Sequence, residues 1–489
     1  MSFPFNTAPR AGPRMGDMKT DTSPSCPFHA GAASAAPASH PPGTWPPGPP
    51  SGLTGWHHLP KMARDPLGIM EAWRRDYGDM VYLRIWPEHE VMVSSPQLVR
   101  ELLVDHHEAL IRWEHGVQVF SQLQGHSVMT AEGPAWRTKR QAMQPPFAPK
   151  AVQPFVPAIA AAADAAFARW PTGPDAWPIE SGFTSLGMDV ILRMVFSSGI
   201  DAEAREAEAA VHTAMVAGNS EMYWPASLPD WMPWKRSKRR ALATLDRLID
   251  GHIRKRMALP EADWPQDLLA RLLTLHVADP AVWPLAAVHD ECMTAFVAGH
   301  ETTAAALTWW AWCMATHPEA QAAAREEVDR VLQGRTPTAA DLPALEAVNR
   351  TLQETLRLYP VAPVLMTRRS QRPIALGGWQ LPARTMFIVP VWLLHRDPRW
   401  FPEPEAFRPE RFAADAPPIP RGAYMPFGTG PRVCLGQHLA LAEMTTIAAM
   451  FLQRYVVEAP AGMAPPRPVL AITMRPATPL ALRLTARRP

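Results

Sequence analysis

The sequence predicts a mainly α-helical protein with small β-sheets, an α+β fold. Long stretches repeat apolar residues at helical spacing. Short alternating stretches that read as strands fall in only two places. The chain is 47% apolar and 19% charged, the balance of a protein with a large core. Its 56 prolines therefore read as stiff loops within a folded chain.

The elements follow in order. Residues 1 to 40 are rich in Pro, Ala, Ser and Gly without periodicity and are expected to be disordered. Pro41 to Pro50 holds six prolines and is expected to wrap onto the fold as a polyproline segment. The division expected is a tail over 1–50 and a single domain over 51–489. Met80–Ile85 and Glu90–Val93 alternate like a hairpin. A second strand cluster is Ile374–Leu376, Trp379–Leu381 and Met386–Val389, punctuated by Gly377, Gly378 and Pro382. Helical periodicity covers Pro66–Tyr77, Lys150–Trp170, Arg236–Met257, Ala286–Thr316, Pro318–Leu332, Leu342–Leu358 and Gln437–Tyr455.

Composition excludes several classes of function. A net charge of +2 gives no global attraction to nucleic acid or acidic membranes. The first residues lack an apolar run of signal-peptide length. The most membrane-like stretch, Thr294 to Thr316, contains His300 and Glu301, which a bilayer span disfavours. It reads as a buried core helix, and the protein is expected to be cytoplasmic without a transmembrane anchor. The cysteines are Cys26, Cys292, Cys313 and Cys434. Cys292 and Cys313 share one predicted helix, about 30 Å apart at about 1.5 Å per residue. A disulfide needs α-carbons within about 7 Å, so this pair cannot form one.

The chemistry concentrates at Phe427-Gly428-Thr429-Gly430-Pro431-Arg432-Val433-Cys434-Leu435-Gly436. Gly428, Gly430 and Gly436 permit tight turns and close approach to a flat ligand. Backbone N–H groups and the start of the next helix face the sulfur, an environment expected to lower the thiol pKa. Arg432 is placed to meet a carboxylate. This loop resembles the haem-binding signature of the cytochrome P450 superfamily, Phe-x-x-Gly-x-Arg-x-Cys-x-Gly, matching at Phe427, Gly430, Arg432, Cys434 and Gly436. Further motifs in the family's order extend the resemblance over residues 50 to 485.

Ala298-Gly299-His300-Glu301-Thr302-Thr303 is similar to the family's distal oxygen-activation motif. Taken alone it suits an ordinary buried Ala/Thr-rich helix equally well. Ala298 and Gly299 are small and leave room, and a threonine hydroxyl bonded one turn back can open the helix locally. Glu354 and Arg357, at i, i+3, with Arg411 match the family's buried Glu/Arg/Arg network, a structural role. Trp136 and Arg140, at i, i+4, point to one ligand from one helix face; alone they also suit an amphipathic surface turn. Arg368 sits where many relatives carry an arginine that binds a haem propionate, and His395 is a further candidate.

The resemblance implies a cytochrome P450 fold with haem b between the long distal helix and the cysteine-loop helix. It implies Cys434 as axial ligand of the haem iron. Arg432, Trp136, Arg140, Arg368, Phe427, Gly428, Ala298, Gly299 and Gly436 are implied to bind the cofactor, and Glu301 and Thr302 to be catalytic, managing protons during oxygen activation. The implied activity is monooxygenation of a lipophilic substrate, with O2 as co-substrate. NAD(P)H electrons arrive indirectly through a ferredoxin or flavodoxin and its reductase, because no flavin or iron–sulfur motif is present. Arg137 and Lys139 are expected on a basic docking face. The pocket is expected to draw on Trp113–Leu123, Met215–Trp234, Ala295–Thr303 and Val361–Met366, whose apolar character suits a fatty acid, terpenoid or polyketide.

Trp224, Trp231 and Trp234 precede Lys235, Arg236, Lys238, Arg239 and Arg240. A membrane surface or nucleic acid suits such a run. The reading preferred has the tryptophans lining a substrate entrance, the charges on a solvated helix face, and no nucleic acid bound. Cys26 and His29 are too few for a metal site. Two other functions compete, a peroxide-dependent or rearranging haem-thiolate enzyme and a haem sensor. The Glu301-Thr302 pair argues against both.

Overall fold

The structure is a computed structural model that describes residues 40–41, 44–199, 202–222 and 231–487, all within the unit His40–Pro489. Cys26, His29 and Trp224 lie outside the described residues.

The chain begins with α1 (Leu59–Arg64), α2 (Pro66–Tyr77), the hairpin β1 (Met80–Ile85) and β2 (Glu88–Val93), and α3 (Pro96–Arg100). Then come β3 (Leu110–Arg112), α4 (Glu114–Gln124), α5 (Gly133–Met143), α6 (Pro149–Val152), α7 (Val156–Phe167), β4 (Ala176–Pro178), α8 (Ile179–Phe196), α9 (Ala202–Glu221), α10 (Arg236–Met257) and α11 (Leu268–Ala278). The long α12 (Leu285–Thr316) leads into α13 (Pro318–Leu332) and α14 (Glu346–Leu358). The last third holds β5 (Arg368–Ser370), β6 (Ile374–Leu376), β7 (Trp379–Leu381), β8 (Met386–Ile388), α15 (Val391–His395), α16 (Gln437–Arg454), β9 (Tyr455–Glu458), β10 (Pro468–Ala471), β11 (Thr473–Pro476) and β12 (Ala481–Ala486).

Local chemistry explains the boundaries. Asp65 caps α2 by accepting from Gly68 N at 3.2 Å, with Pro66 at the first helical position. The helix expected over Lys150–Trp170 is instead α6, a 3₁₀ turn at Gln153–Phe155, and α7. Pro154 lacks an amide proton and its ring opposes the preceding turn. The expected helix from Leu342 likewise opens as a 3₁₀ turn, Leu342–Ala344, before α14. Thr44 to Pro50 lies along the hairpin as expected: Trp45 stacks on Tyr82 at 4.5 Å, and Tyr82 N donates to Pro47 O at 3.0 Å.

The five-stranded sheet runs β1-β2-β8-β5-β3. The strand cluster expected near residue 380 is therefore divided, because β6 and β7 form a hairpin of their own while β8 pairs in parallel with β2.

The core wraps α12. Trp309 and Trp310 are fully buried, and their indoles donate to Met474 O at 3.0 Å and Thr351 Oγ1 at 2.9 Å, so neither N–H is stranded. Cys292 and Cys313 are unpaired and buried along the same helix. α8 crosses α12 at close range. A Cβ on Gly187 would lie 2.8 Å from the His300 carbonyl oxygen, and one on Gly299 would lie 2.4 Å from Ile191 Cδ1. Among the described residues no helix is long and apolar enough to cross a membrane.

Candidate active site

A cavity of about 850 Å³ separates α12 from the loop that carries Cys434. Phe427, Gly428, Arg432, Cys434 and Gly436 line one side, and Ala298, Gly299, Thr302 and Thr303 line the other. Cys434 N donates to Phe427 O at 3.0 Å, which folds the loop back on itself. Gly428 and Gly430 have φ of 77° and 75°, in the region that favours glycine. A Cβ on Gly430 would also meet Leu103 O at 2.4 Å. Arg140 Nη1 holds Val433 O at 2.8 Å.

The Cys434 side chain is accessible, but to this cavity and not to bulk water. Burial pushes its thiol up, while the Gly436 N–H and the Arg140 guanidinium pull it down. The expected lowered pKa is thus corrected, because desolvation outweighs the helix terminus and one cation. A metal ion that coordinates the sulfur displaces the proton outright.

Arg112, Arg140, Arg368 and Arg432 all border the cavity. Glu132 is the carboxylate among them. It pairs with Arg432, with Arg112 Nη1 at 3.4 Å, and accepts from Arg112 N at 3.1 Å. The Arg432 guanidinium lies over the Trp136 ring at 4.0 Å. Burial, then Arg112, with Arg368 and Arg140 adding, pushes Arg432 down to about 9. Burial and Arg112 bring Arg368 down to about 10. Arg112 Nε is buried with no hydrogen-bond partner among the described residues. Four guanidiniums against one carboxylate call for a dianion, and the two propionates of a haem supply one. The thiol on one face and the small residues opposite complete the fit. The residues that would hold haem are Cys434, Arg432, Arg140, Arg368, Trp136 and Arg112.

The distal side differs in detail from the sequence expectation. Ala298 lines the cavity, but the missing Cβ of Gly299 makes room for Ile191 of α8. Thr302 Oγ1 donates to Ala298 O at 2.7 Å, yet α12 stays α-helical from Leu285 to Thr316, so the expected local opening is not seen. Glu301 is off the cavity wall and 3% exposed. Arg475 of β11 reaches it at 2.5 Å and also reaches Glu180 of α8 at 2.8 Å. Burial pushes the Glu301 carboxyl up, and Arg475 and His212 oppose this.

Glu354 and Arg357 are fully buried and paired at 2.7 Å, with Arg411 at 3.2 Å. His395 is not on the cavity wall. Its Nε2 accepts from Met425 N at 2.9 Å, steadying the approach to the cysteine loop. Lys139 is corrected from a docking residue, since its Nζ bonds buried Glu291 at 2.9 Å, whereas Arg137 is exposed. Trp231 and Trp234 are 67% and 60% exposed and do not line the cavity. Lys235 and Lys238 are buried against Glu221 at 3.3 and 2.8 Å, not solvated as expected, while Arg236, Arg239 and Arg240 are exposed.

Trp113, Phe120, Met222, Ala295, Val361 and Met366 line the cavity within the four predicted segments; residues 223–230 lie outside the described residues. The reading of the sequence missed Arg112, Glu132 and Arg475. Only Arg112 left a trace, as a cation ending an otherwise apolar strand before Trp113.

A model of the family described as "Cytochrome P450" matches residues 46–482. The chain is 33% identical over 401 residues to the cyclooctat-9-en-7-ol 5-monooxygenase of Streptomyces melanosporofaciens, covering 79% of this chain and 86% of the relative. It is 31% identical to cyclooctatin synthase of the same organism, covering 87% and 93%. It is 30% identical to the pentalenene oxygenase of Streptomyces avermitilis, covering 88% and 95%. A thiol facing small distal residues across a cationic, otherwise apolar cavity, in a chain matched along most of its length, places it in the cytochrome P450 family, as a haem b monooxygenase that inserts one atom of O2 into a lipophilic substrate with electrons from a separate redox partner.

Proposed function

We propose that this protein hydroxylates a terpenoid, with Cys434 as the iron ligand and Glu301 and Thr302 as the proton-delivering pair. The observation that carries this reading is the cavity itself, mainly apolar and bounded by Cys434 and Thr302 on opposite sides. The relatives named for cyclooctat-9-en-7-ol and pentalenene support a hydrocarbon-rich cyclic skeleton. Haem, when bound, supplies the oxygen-activating and C–H-oxidising chemistry.

The chain's own residues handle the rest. Thr302 donates its proton to Ala298 O, which leaves the hydroxyl lone pairs to accept from a proton donor. Glu301 Oε2 is buried without a hydrogen-bond partner among the described residues. A carboxyl pushed up by burial holds and releases a proton closer to neutrality than an exposed one does. Arg112, Arg140, Arg368 and Arg432 would neutralise the propionates of a bound haem, and the apolar wall excludes water.

The electron donor in this reading is a ferredoxin or flavodoxin, and Arg137 contributes to its docking face. The chain works in the cytoplasm, in keeping with its unpaired described cysteines, and residues 51–489 act as one catalytic domain behind the 1–50 tail.

Thr302→Ala tests the assignment. It is expected to lower product formed per reductant consumed by about tenfold or more, since positioned proton-transfer groups contribute about 10²–10⁴. The lost electrons should appear as peroxide. Unchanged coupling rejects the role of Thr302, and equal turnover with peroxide alone rejects the monooxygenase cycle.

A further inference from the structure

Glu90 is a carboxyl in a lobe of the cavity whose wall, Glu88 apart, is mainly apolar. It sits on β2 between Leu83 of β1 and Met386 of β8. Alternation along the strand sends Glu88, Glu90 and Met92 to one side, and all three line the cavity. Around them stand Trp56, Met62, Met70, Trp73, Met386 and Ile388, an apolar lobe built from the first helices and the hairpin.

Glu90 is 8% exposed. Among the described residues no hydrogen bond or ion pair reaches its carboxyl. The cation that acts on it, Arg369, is already held by Glu88 at 2.7 Å and Glu114 at 2.5 Å. A buried carboxyl without a partner is costly, and nothing in the hairpin requires one. An isolated polar group in an apolar pocket is how a site fixes a ligand's orientation.

We propose that Glu90 anchors the substrate, and that the substrate is a lipophilic alcohol whose hydroxyl pairs with this carboxyl while the carbon to be oxidised lies at the Thr302 end of the cavity. The inference rests on the reading that the cavity takes a terpenoid, and deepens it. A hydroxyl suits the site better than an amine does. Burial, then Glu88, pushes Glu90 up to about 7, which favours the protonated form far above the usual carboxylate range. A hydroxyl donates to one form and accepts from the other, whereas an ammonium pairs only with the ionised form and meets the charge of Arg369. The enzyme therefore acts after a step that has installed a hydroxyl, a hydroxylation or a hydration.

The test uses the full haem-loaded chain and spectral-shift titrations with 1-adamantanol, 1-methoxyadamantane and adamantane. A hydrogen bond to a carboxyl gives the alcohol an expected preference of about ten- to a hundredfold over the hydrocarbon. The ether accepts a hydrogen bond but cannot donate one, so it pairs only with the protonated carboxyl and should bind more weakly than the alcohol, with the gap widening as pH rises through about 7. Glu90→Leu should erase the preference by weakening the alcohol alone. Glu90→Gln, which keeps a carbonyl acceptor in the same shape, should retain part of it. Melting curves and CO-bound spectra verify that both variants fold and hold haem.

Equal binding of alcohol and hydrocarbon by the unaltered chain overturns the anchor and leaves the lipophilic-substrate reading standing. So does an alcohol preference that survives in Glu90→Leu. An ether that binds like the alcohol overturns the hydroxyl assignment. Failure of all three probes to bind overturns the lipophilic reading and the anchor with it.

Discussion

His395 shows what burial does to a single titratable group. It is fully buried, and burial first, then the Arg357 charge, pushes its pKa down to about 3. The folded state thus keeps the ring neutral, while the unfolded chain binds a proton below about 6.5. Stability from this group is full above 6.5 and is lost as pH falls toward 3, by about 1.4 kcal/mol per pH unit. His395→Asn should melt below the unaltered chain at pH 7, and the gap should narrow at pH 4.5. A gap that stays constant contradicts the buried neutral ring. At this scale the sequence was informative where spacing carries chemistry, as in Phe427 to Gly436. It was silent where chemistry depends on partners far away. Arg475 meets Glu301 only because β11 packs on α12, and Glu132 joins Arg112 and Arg432 only in the folded chain.

At the scale of elements, the α8–α12 crossing sets the roof of the cavity. Gly187 faces a backbone carbonyl, which cannot move without bending α12, whereas Gly299 faces the end of an isoleucine side chain. Overpacking costs about 1–3 kcal/mol. Gly187→Ala should fall at the top of that range in thermal or urea unfolding. Gly299→Ala should cost less and be relieved by Ile191→Val. The reverse order would contradict the packing described. Helices with strong periodicity, such as α2, α10 and α13, were legible to their ends. The stretch from Lys150 was not, because apolar spacing continues across Pro154 while the hydrogen-bond ladder cannot. The β1–β2 hairpin and strands β6, β7 and β8 were legible, whereas β3, β4, β5 and β9 to β12 were not, and neither was the partner of β8. The β2–β8 pairing joins residues about 300 positions apart, and alternation alone says nothing about such a partner.

The whole molecule is organised around a cofactor that its own charges demand. Arg112, Arg140, Arg368 and Arg432 border one cavity and only Arg112 and Arg432 pair with Glu132, so haem removal leaves repelling guanidiniums in a buried place. Anions that enter this cluster should stabilise the haem-free chain more than the haem-loaded one. Adding sulfate should raise the melting temperature of the haem-free form by about 2 °C or more beyond its effect on the loaded form. An equal rise in both would show that the cluster is not frustrated. The same frame explains why Cys434 can be buried and still serve as a thiolate, since the surroundings that push the thiol up also exclude the water that would compete for the metal.

The most direct test of the account is the spectrum of the reduced, CO-bound protein. With Cys434 on the iron as a thiolate, the Soret band should be strongly red-shifted, and Cys434→Ser should lose that band while the fold is retained. A normal, imidazole-like CO spectrum in the unaltered chain, or a red-shifted band that persists in Cys434→Ser, would contradict it.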